Sequence, residues 1–575
     1  MLFNFNLFFD SKDSLFLQNL IFVMNKLLTI ISFVFIFGMP SHAFQYNKNQ
    51  QPQINTKPKL IVGIVVDQMR FDYLSRFNSK FGSGGFKRLQ NEGFNCKNNH
   101  FNYIPTYTGP GHASIFTGTT PKYHGIIANH WYDKFNAKKV YCASDNSVVS
   151  VGVENVIEGK RSPRRLLSTT FADENKLFHQ GRSKSIGISI KDRGSILPIG
   201  HTADAAYWFY GKDEGKWITS SYYMEKLPDW VGKFNNSNKI KPYLKEWDTF
   251  YPIETYTESA ADLNNYENSF ISKQNAVFPY DLEKLAPQNG NYDILKNTPY
   301  GNSIVTDFAI ETIKKEALGK DEFTDVLTVS YSSTDYVGHK FGVNSKEIQD
   351  TYIRLDNELE RFLNFLDKEL GQGNYTLFLT ADHGAVDVPQ YLRDNKIPAG
   401  YSQTKDLRSK LDLFLLKTFG VSTLIKNMSN NQIFINKSSA LKEGIDYRNV
   451  ILAIVDELIN YPSIYRVFSS NQLNEASYNF GVEALVQNGY NQKFSGDVVY
   501  VLNPATLSYG KKGSSHGSGF NYDTHVPLLF FGEGIKQGET YEKTVIPDIA
   551  PTISSLLGIS YPNMATGRPL TEVLK

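Results

Sequence analysis

The sequence predicts an α/β fold with a largely parallel central sheet and capping insertions. Short apolar runs recur along the chain, each ending in polar residues that strands normally avoid. Helical segments such as 345–369 lie between them. Continuous Val/Ile/Leu runs of this length are what a parallel sheet covered on both faces requires. Two stretches rich in Tyr, Asn and Lys, near 205–300 and 405–505, have weaker strand punctuation and are expected to cap the sheet as insertions. With 575 residues, 41% of them hydrophobic, the chain can bury a large core. A net charge of +2 with interspersed signs offers no basic stripe for nucleic acid and no acidic tail, so partners must be argued from sites.

The first 43 residues form an N-terminal extension with an address rather than a fold. From Met24, "MNKLLTIISFVFIFGMPSHAFQ" has an early lysine, an apolar run from Leu27 to Phe37, and Ser41 and Ala43 spaced as in a secretory cleavage site. The run is shorter than the ~20 apolar residues that span a bilayer. A start at Met24, cleavage after Ala43 and a periplasmic or secreted product are expected, with no membrane span in the mature chain.

The first strand is expected in "KLIVGIVVDQ", ending at Asp67. "YIPTYTGPGHASIFTG", 103–118, follows as a loop crowded with hydroxyls and turn formers, suited to presenting a small nucleophile close to the backbone. Thr106 and Thr108 both stand in it. Cys96 and Cys142 are the only cysteines and can pair or remain buried thiols. Further strands are expected in "SIGISIKDR", to Arg193, and "DVLTVSYSSTD", to Asp335. "TLFLTADHG", containing Asp382 and His383, and "VPLLFFGEGI", 526–535, complete the set. In open α/β sheets ligands bind beyond the carboxyl ends of the strands, so four of these endings should converge. They bring Asp67, Asp335, His339, Asp382 and His383, and the Gly/Ser loop "GSSHGSG" adds His516. Three carboxylates and three imidazoles suit two catalytic divalent ions with nitrogen and oxygen ligands.

The order Asp, T-x-P-x-H, D-x-x-x-H, D-H and a late H-G resembles the alkaline phosphatase superfamily, in its threonine-nucleophile branch shared with nucleotide pyrophosphatase/phosphodiesterases. "TGPGHASIFTG" with "HGIIANHWYD", and "KDR" at 191–193, are most similar to periplasmic PafA-type alkaline phosphatases. The resemblance spans roughly 58–570 and implies a three-layer sandwich, 44–575, acting as a monomer. It implies Thr108 as nucleophile, and Asn129, Lys191 and Arg193 as ligands of the phosphoryl oxygens. One zinc ion would be held by Asp67, Asp382, His383 and Thr108, the other by Asp335, His339 and His516. His112 would shape the nucleophile loop. The expected substrates are small-molecule phosphate monoesters, because two cations beside an amide favour a dianion. A phosphodiesterase of the same fold is the alternative. The loop lacks the C/S-x-P-x-R pattern of sulfatases, and the chain lacks the several membrane spans of a phosphoethanolamine transferase.

Overall fold

The computed structural model describes residues 57–575; the expected signal segment and its cleavage site lie outside them. Eight strands of the main sheet precede the cap: β1 (Leu60–Val66), β2 (Phe94–Cys96), β3 (Ser150–Val151), β4 (Ser185–Ser189), β5 (Ala205–Tyr210), β6 (Lys216–Ser220), β7 (Asp325–Tyr331) and β8 (Tyr375–Thr380). The cap adds β9 (Ile425–Ser429), β10 (Gln432–Ile435), β11 (Ile464–Ser469) and β12 (Val498–Leu502), after which β13 (Leu528–Gly532) and β14 (Gly538–Thr540) return to the main sheet. That sheet has ten strands in the order β14-β2-β13-β8-β1-β7-β4-β5-β6-β3.

The five central strands β8, β1, β7, β4 and β5 are mutually parallel. Every residue of these strands is buried, which accounts for the unbroken apolar runs. Helix Lys346–Leu370 covers part of one face. It turns Ile348, Tyr352, Leu355, Leu359, Phe362 and Leu366 inward at helical spacing, and the Ser345 side chain caps its first turn.

Two details depart from the sequence expectation. The region expected to be an insertion from 205 begins inside the sheet, because "AAYWFY" forms β5 and "KWITS" forms β6, both almost wholly buried. Aromatic side chains replace the Val/Ile signature there, and Trp217 stacks on Phe308 of helix Tyr300–Glu316. The strand at 528–532 runs antiparallel to β8, with Leu528 opposite Thr380. Its reversed direction brings the loop before it, with His516, to the edge where the parallel strands end.

The 405–505 stretch forms a cap with an antiparallel sheet ordered β9-β10-β12-β11. Leu411, Ile433, Val450, Ile454 and Val498 give the cap an apolar cluster of its own. Cys96 and Cys142 are free, buried thiols. Among the described residues no helix is long and apolar enough to cross a membrane.

The strand that delivers Asp67 is tightly packed at Gly63, where an added Cβ would lie 2.8 Å from Phe378 Cζ and 2.9 Å from Phe116 Cε1. Gly63→Ala is therefore expected to destabilise the protein by about 1–3 kcal/mol through overpacking, against the gain alanine ordinarily brings to a strand. A melting temperature at or above wild type would show that the rings yield freely.

Candidate active site

The expected strand endings converge. Asp67 directly follows β1; Lys191 is the N-cap of helix Asp192–Ile199 after β4; Asp335 lies in the first turn of helix Ser333–Phe341 after β7; and Asp382 and His383 follow β8. Asp67, Asp382 and His383 are fully buried, and Asp335 is nearly so. Asp335 Oδ1 lies 3.2 Å from His339 Nε2 and 3.6 Å from His516 Nε2. His383 Nε2 lies 3.6 Å from both Asp67 Oδ1 and Asp382 Oδ2.

Each of these three histidines spends Nδ1 on a backbone carbonyl. His339 donates to Ser514 O at 2.7 Å, His383 to Gly384 O at 2.9 Å, and His516 to Thr106 O at 2.7 Å. Donation from Nδ1 turns Nε2 towards the carboxylates, so that a neutral ring would present there the lone pair a metal ligand needs. The ligand atoms gather in two overlapping trios, Asp335 with His339 and His516, and Asp67 with Asp335 and His383. The first is the trio expected for one ion; in the second Asp335 approaches as well, and Asp382 stands beside His383.

Charge explains why cations are wanted here. Burial and the neighbouring Asp382 push the Asp67 carboxyl up to about 8. Burial opposes ionisation of Asp335 and Asp382 too, yet His339 and Lys191 hold Asp335 well below the usual range, and His383 and His112 lower Asp382. Burial, with His383 and His339 nearby, keeps His516 neutral. Asp67 Oδ1 and Asp382 Oδ2 are buried without a hydrogen-bond partner. Orphaned carboxylate oxygens beside outward Nε2 atoms fit divalent ions, and the mixed nitrogen and oxygen donors fit zinc.

Thr108 opens helix Thr108–Thr117. Where the sequence predicts a loop, its turn formers build the first turn of this helix, and Pro110 has no amide to satisfy there. Thr108 Oγ1 lies 3.5 Å from His383 Nε2, and Arg193 Nη2 donates to it at 3.4 Å. The helix N-terminus adds partial positive charge at the same atom. Thr106 Oγ1 instead donates to Ser518 O at 2.9 Å, which leaves Thr108 as the hydroxyl that faces the cluster. His112 shapes the turn: its Nδ1 donates to Thr108 O at 2.9 Å and its Nε2 accepts from Ser330 Oγ at 2.8 Å.

Asn129 Oδ1 accepts the Gly109 N–H at 2.6 Å, so its amide NH₂ remains as a donor. Lys191 points elsewhere than its expected role suggests, since its ammonium bridges Asp67 Oδ2 at 2.8 Å and Asp335 Oδ2 at 2.5 Å. Two of its three donors are thereby engaged.

Two residues of the site carry no motif in the sequence. Gln68, at φ 66°, donates its backbone N–H to Asp382 Oδ1 at 3.1 Å and its Nε2 to Asp335 Oδ1 at 2.7 Å. Asp523 accepts the backbone N–H of Gly517 and Ser518 and thereby shapes the His516 loop. The polar "FNYDTH" stretch immediately before a strand was the available signal for Asp523.

Gly111 lets helix Thr108–Thr117 pass the Asp382 backbone, whose carbonyl oxygen would lie 2.3 Å from an added Cβ. Gly111→Ala is expected to separate Thr108 from Asp382 and His383 and to cost about a hundredfold or more in kcat, as displacements near 1 Å do. Wild-type kcat in that variant would show that the close approach does not position the site.

The type I phosphodiesterase / nucleotide pyrophosphatase family matches residues 61–526. A Myroides odoratus protein named calcium-transporting ATPase is 45% identical over 524 residues, covering 90% of this chain and 95% of its own. Alkaline phosphatase PafA of Elizabethkingia meningoseptica is 44% identical over 521 residues, again covering 90% of this chain and 95% of its own. The crystal structure of wild-type PafA matches with a TM-score of 0.87, covering 90% of this chain and 99% of that one. Sequence, fold and the gathered strand endings agree, and the chain belongs to the type I phosphodiesterase / nucleotide pyrophosphatase family of the alkaline phosphatase superfamily.

Proposed function

We propose that this protein is an exported, zinc-dependent alkaline phosphatase that hydrolyses phosphate monoesters through a phosphothreonine at Thr108. The observation that carries the reading is the Thr108 hydroxyl, which lies between Arg193 and His383 at a helix N-terminus. The 44% identity to alkaline phosphatase PafA over nine-tenths of the chain supports the same activity.

Thr108 Oγ1 attacks phosphorus as the ester P–O bond breaks, and water then cleaves the phosphothreonine to release phosphate. Two zinc ions, one on Asp67, Asp382, His383 and Thr108 and one on Asp335, His339 and His516, would stabilise the threonine alkoxide and the leaving oxygen. Arg193 and the free NH₂ of Asn129 bind the other phosphoryl oxygens. Lys191 contributes its remaining donor and offsets the charge of the carboxylates that a dianion must approach. A monoester has one more terminal oxygen and one more negative charge than a diester, so these cations favour it.

A phosphodiesterase would use the same nucleophile and ligands, and the matched family includes such enzymes. The zinc-loaded protein is expected to prefer p-nitrophenyl phosphate to bis-p-nitrophenyl phosphate in kcat/KM. Lys191→Ala/Arg193→Ala should lower the monoester value by about a hundredfold or more and the diester value far less. Chelation should abolish turnover, with zinc restoring it, and Thr108→Ala should remove it. A wild type that prefers the diester would assign the site to phosphodiesterases. N-terminal sequencing of the exported protein should find a chain that begins at Phe44.

A further inference from the structure

Asp192 stands between Lys191 and Arg193, where a negative charge would oppose the dianion those cations are proposed to bind. The structure turns it aside. Its carboxylate accepts the Tyr141 hydroxyl proton, and its Oδ2 accepts from Arg161 Nε at 2.5 Å. Asp192 Oδ1 also accepts the Arg193 backbone N–H at 2.7 Å. The Arg161 guanidinium lies over the Tyr141 ring, 5.0 Å from its centroid, and so closes the group from the other side. Arg161 and Asp192 are each only 13% exposed in their side chains, so the pair is shielded from much of the screening that weakens surface ion pairs.

The hydroxyl of Tyr141 is the link to the site. Burial and the adjacent Asp192 raise its pKa well above the ordinary range, so it stays protonated and donates to Asp192. Its oxygen then accepts from Arg193 Nη1 at 3.3 Å, while Arg193 Nη2 reaches Thr108 Oγ1 at 3.4 Å. Arg193 Nε is buried without a hydrogen-bond partner. Tyr141 is thus the side chain that orients the far end of the guanidinium, and an Arg fork has value only when its plane is aimed.

We propose that Tyr141, held by Asp192 and Arg161, is a positioning residue that aims Arg193 at the phosphoryl group and thereby sets the preference for monoester dianions. This rests on the reading of Arg193 as a phosphoryl ligand. Arg161 has a second effect: it neutralises Asp192, so the charge a dianion meets is that of Lys191 and Arg193. The acidic residue inside a phosphate-binding stretch is then a support for its neighbour rather than an opponent of the substrate.

The test is a double-mutant cycle on the zinc-loaded protein with Tyr141→Phe and Arg193→Ala, read as kcat/KM for p-nitrophenyl phosphate and for its bis ester, and as Ki for inorganic phosphate. Tyr141→Phe keeps the ring and removes only the hydroxyl. It should lower monoester kcat/KM by about tenfold to a hundredfold, raise the phosphate Ki in step and leave the diester nearly unchanged. In the Arg193→Ala background it should cost nothing further. Asp192→Asn keeps the shape of the carboxylate and should produce a smaller loss of the same kind, also absent without Arg193. A loss that adds fully to that of Arg193→Ala, or falls equally on both esters, overturns the positioning role. Wild-type preference for the diester overturns the monoesterase reading instead, while the phosphate Ki, which needs no ester, still decides whether Tyr141 acts through Arg193.

Discussion

Three carboxylates buried together set the terms for this molecule. Asp67, Asp335 and Asp382 lie buried beside one another, and their charges cannot coexist there without compensation. Lys191 answers part of that demand from inside the sheet's edge. The Nε2 atoms of His339, His383 and His516, each ring fixed by a carbonyl on its far side, mark where metal ions would belong. Much of the local architecture follows from bringing these groups together.

The parallel sheet supplies the convergence at little cost in strain. Strands in register end at one edge, so side chains far apart in sequence arrive side by side: Val65 lies opposite both Ser330 and Thr380, two residues before Asp67 and Asp382 and five before Asp335. The antiparallel β13 extends the principle, since its start rather than its end meets the same edge and brings in the loop of His516. The proposed nucleophile, Thr108, comes from a helix rather than a strand end, and Gly111 permits the approach of that helix to the Asp382 backbone. Precision at Thr108 therefore depends on backbone contacts as much as on the groups that perform chemistry.

Around this centre a second layer of polar groups holds the working side chains. Asn129 is oriented by the Gly109 amide, His112 by Thr108 and Ser330, and Arg193 by Tyr141. Each supporting bond is modest in energy, but a charged side chain aimed at a developing charge acts through its geometry, and several weak restraints define that geometry well. The cap, with an apolar cluster of its own, is built separately from this layer.

The sequence by itself determined the α/β character, the strands that end in Asp67, Asp335 and Asp382, and the residue types able to hold divalent ions. It could do so because a doubly covered strand demands an unbroken apolar run, and because a polar residue at its end is conspicuous against that run. β5 was less legible, since aromatic residues fill a buried strand without the Val/Ile signature. Only the tertiary structure decided that Thr108 rather than Thr106 faces the cluster, that Lys191 bridges two carboxylates, and that Asp192 supports Arg193 through Tyr141. Those outcomes depend on pairs such as Thr106 with Ser518, Lys191 with Asp67, and Tyr141 with Asp192, which lie dozens to hundreds of residues apart. No local pattern encodes such a pair, because the direction of a side chain is set by the partner that the fold delivers to it.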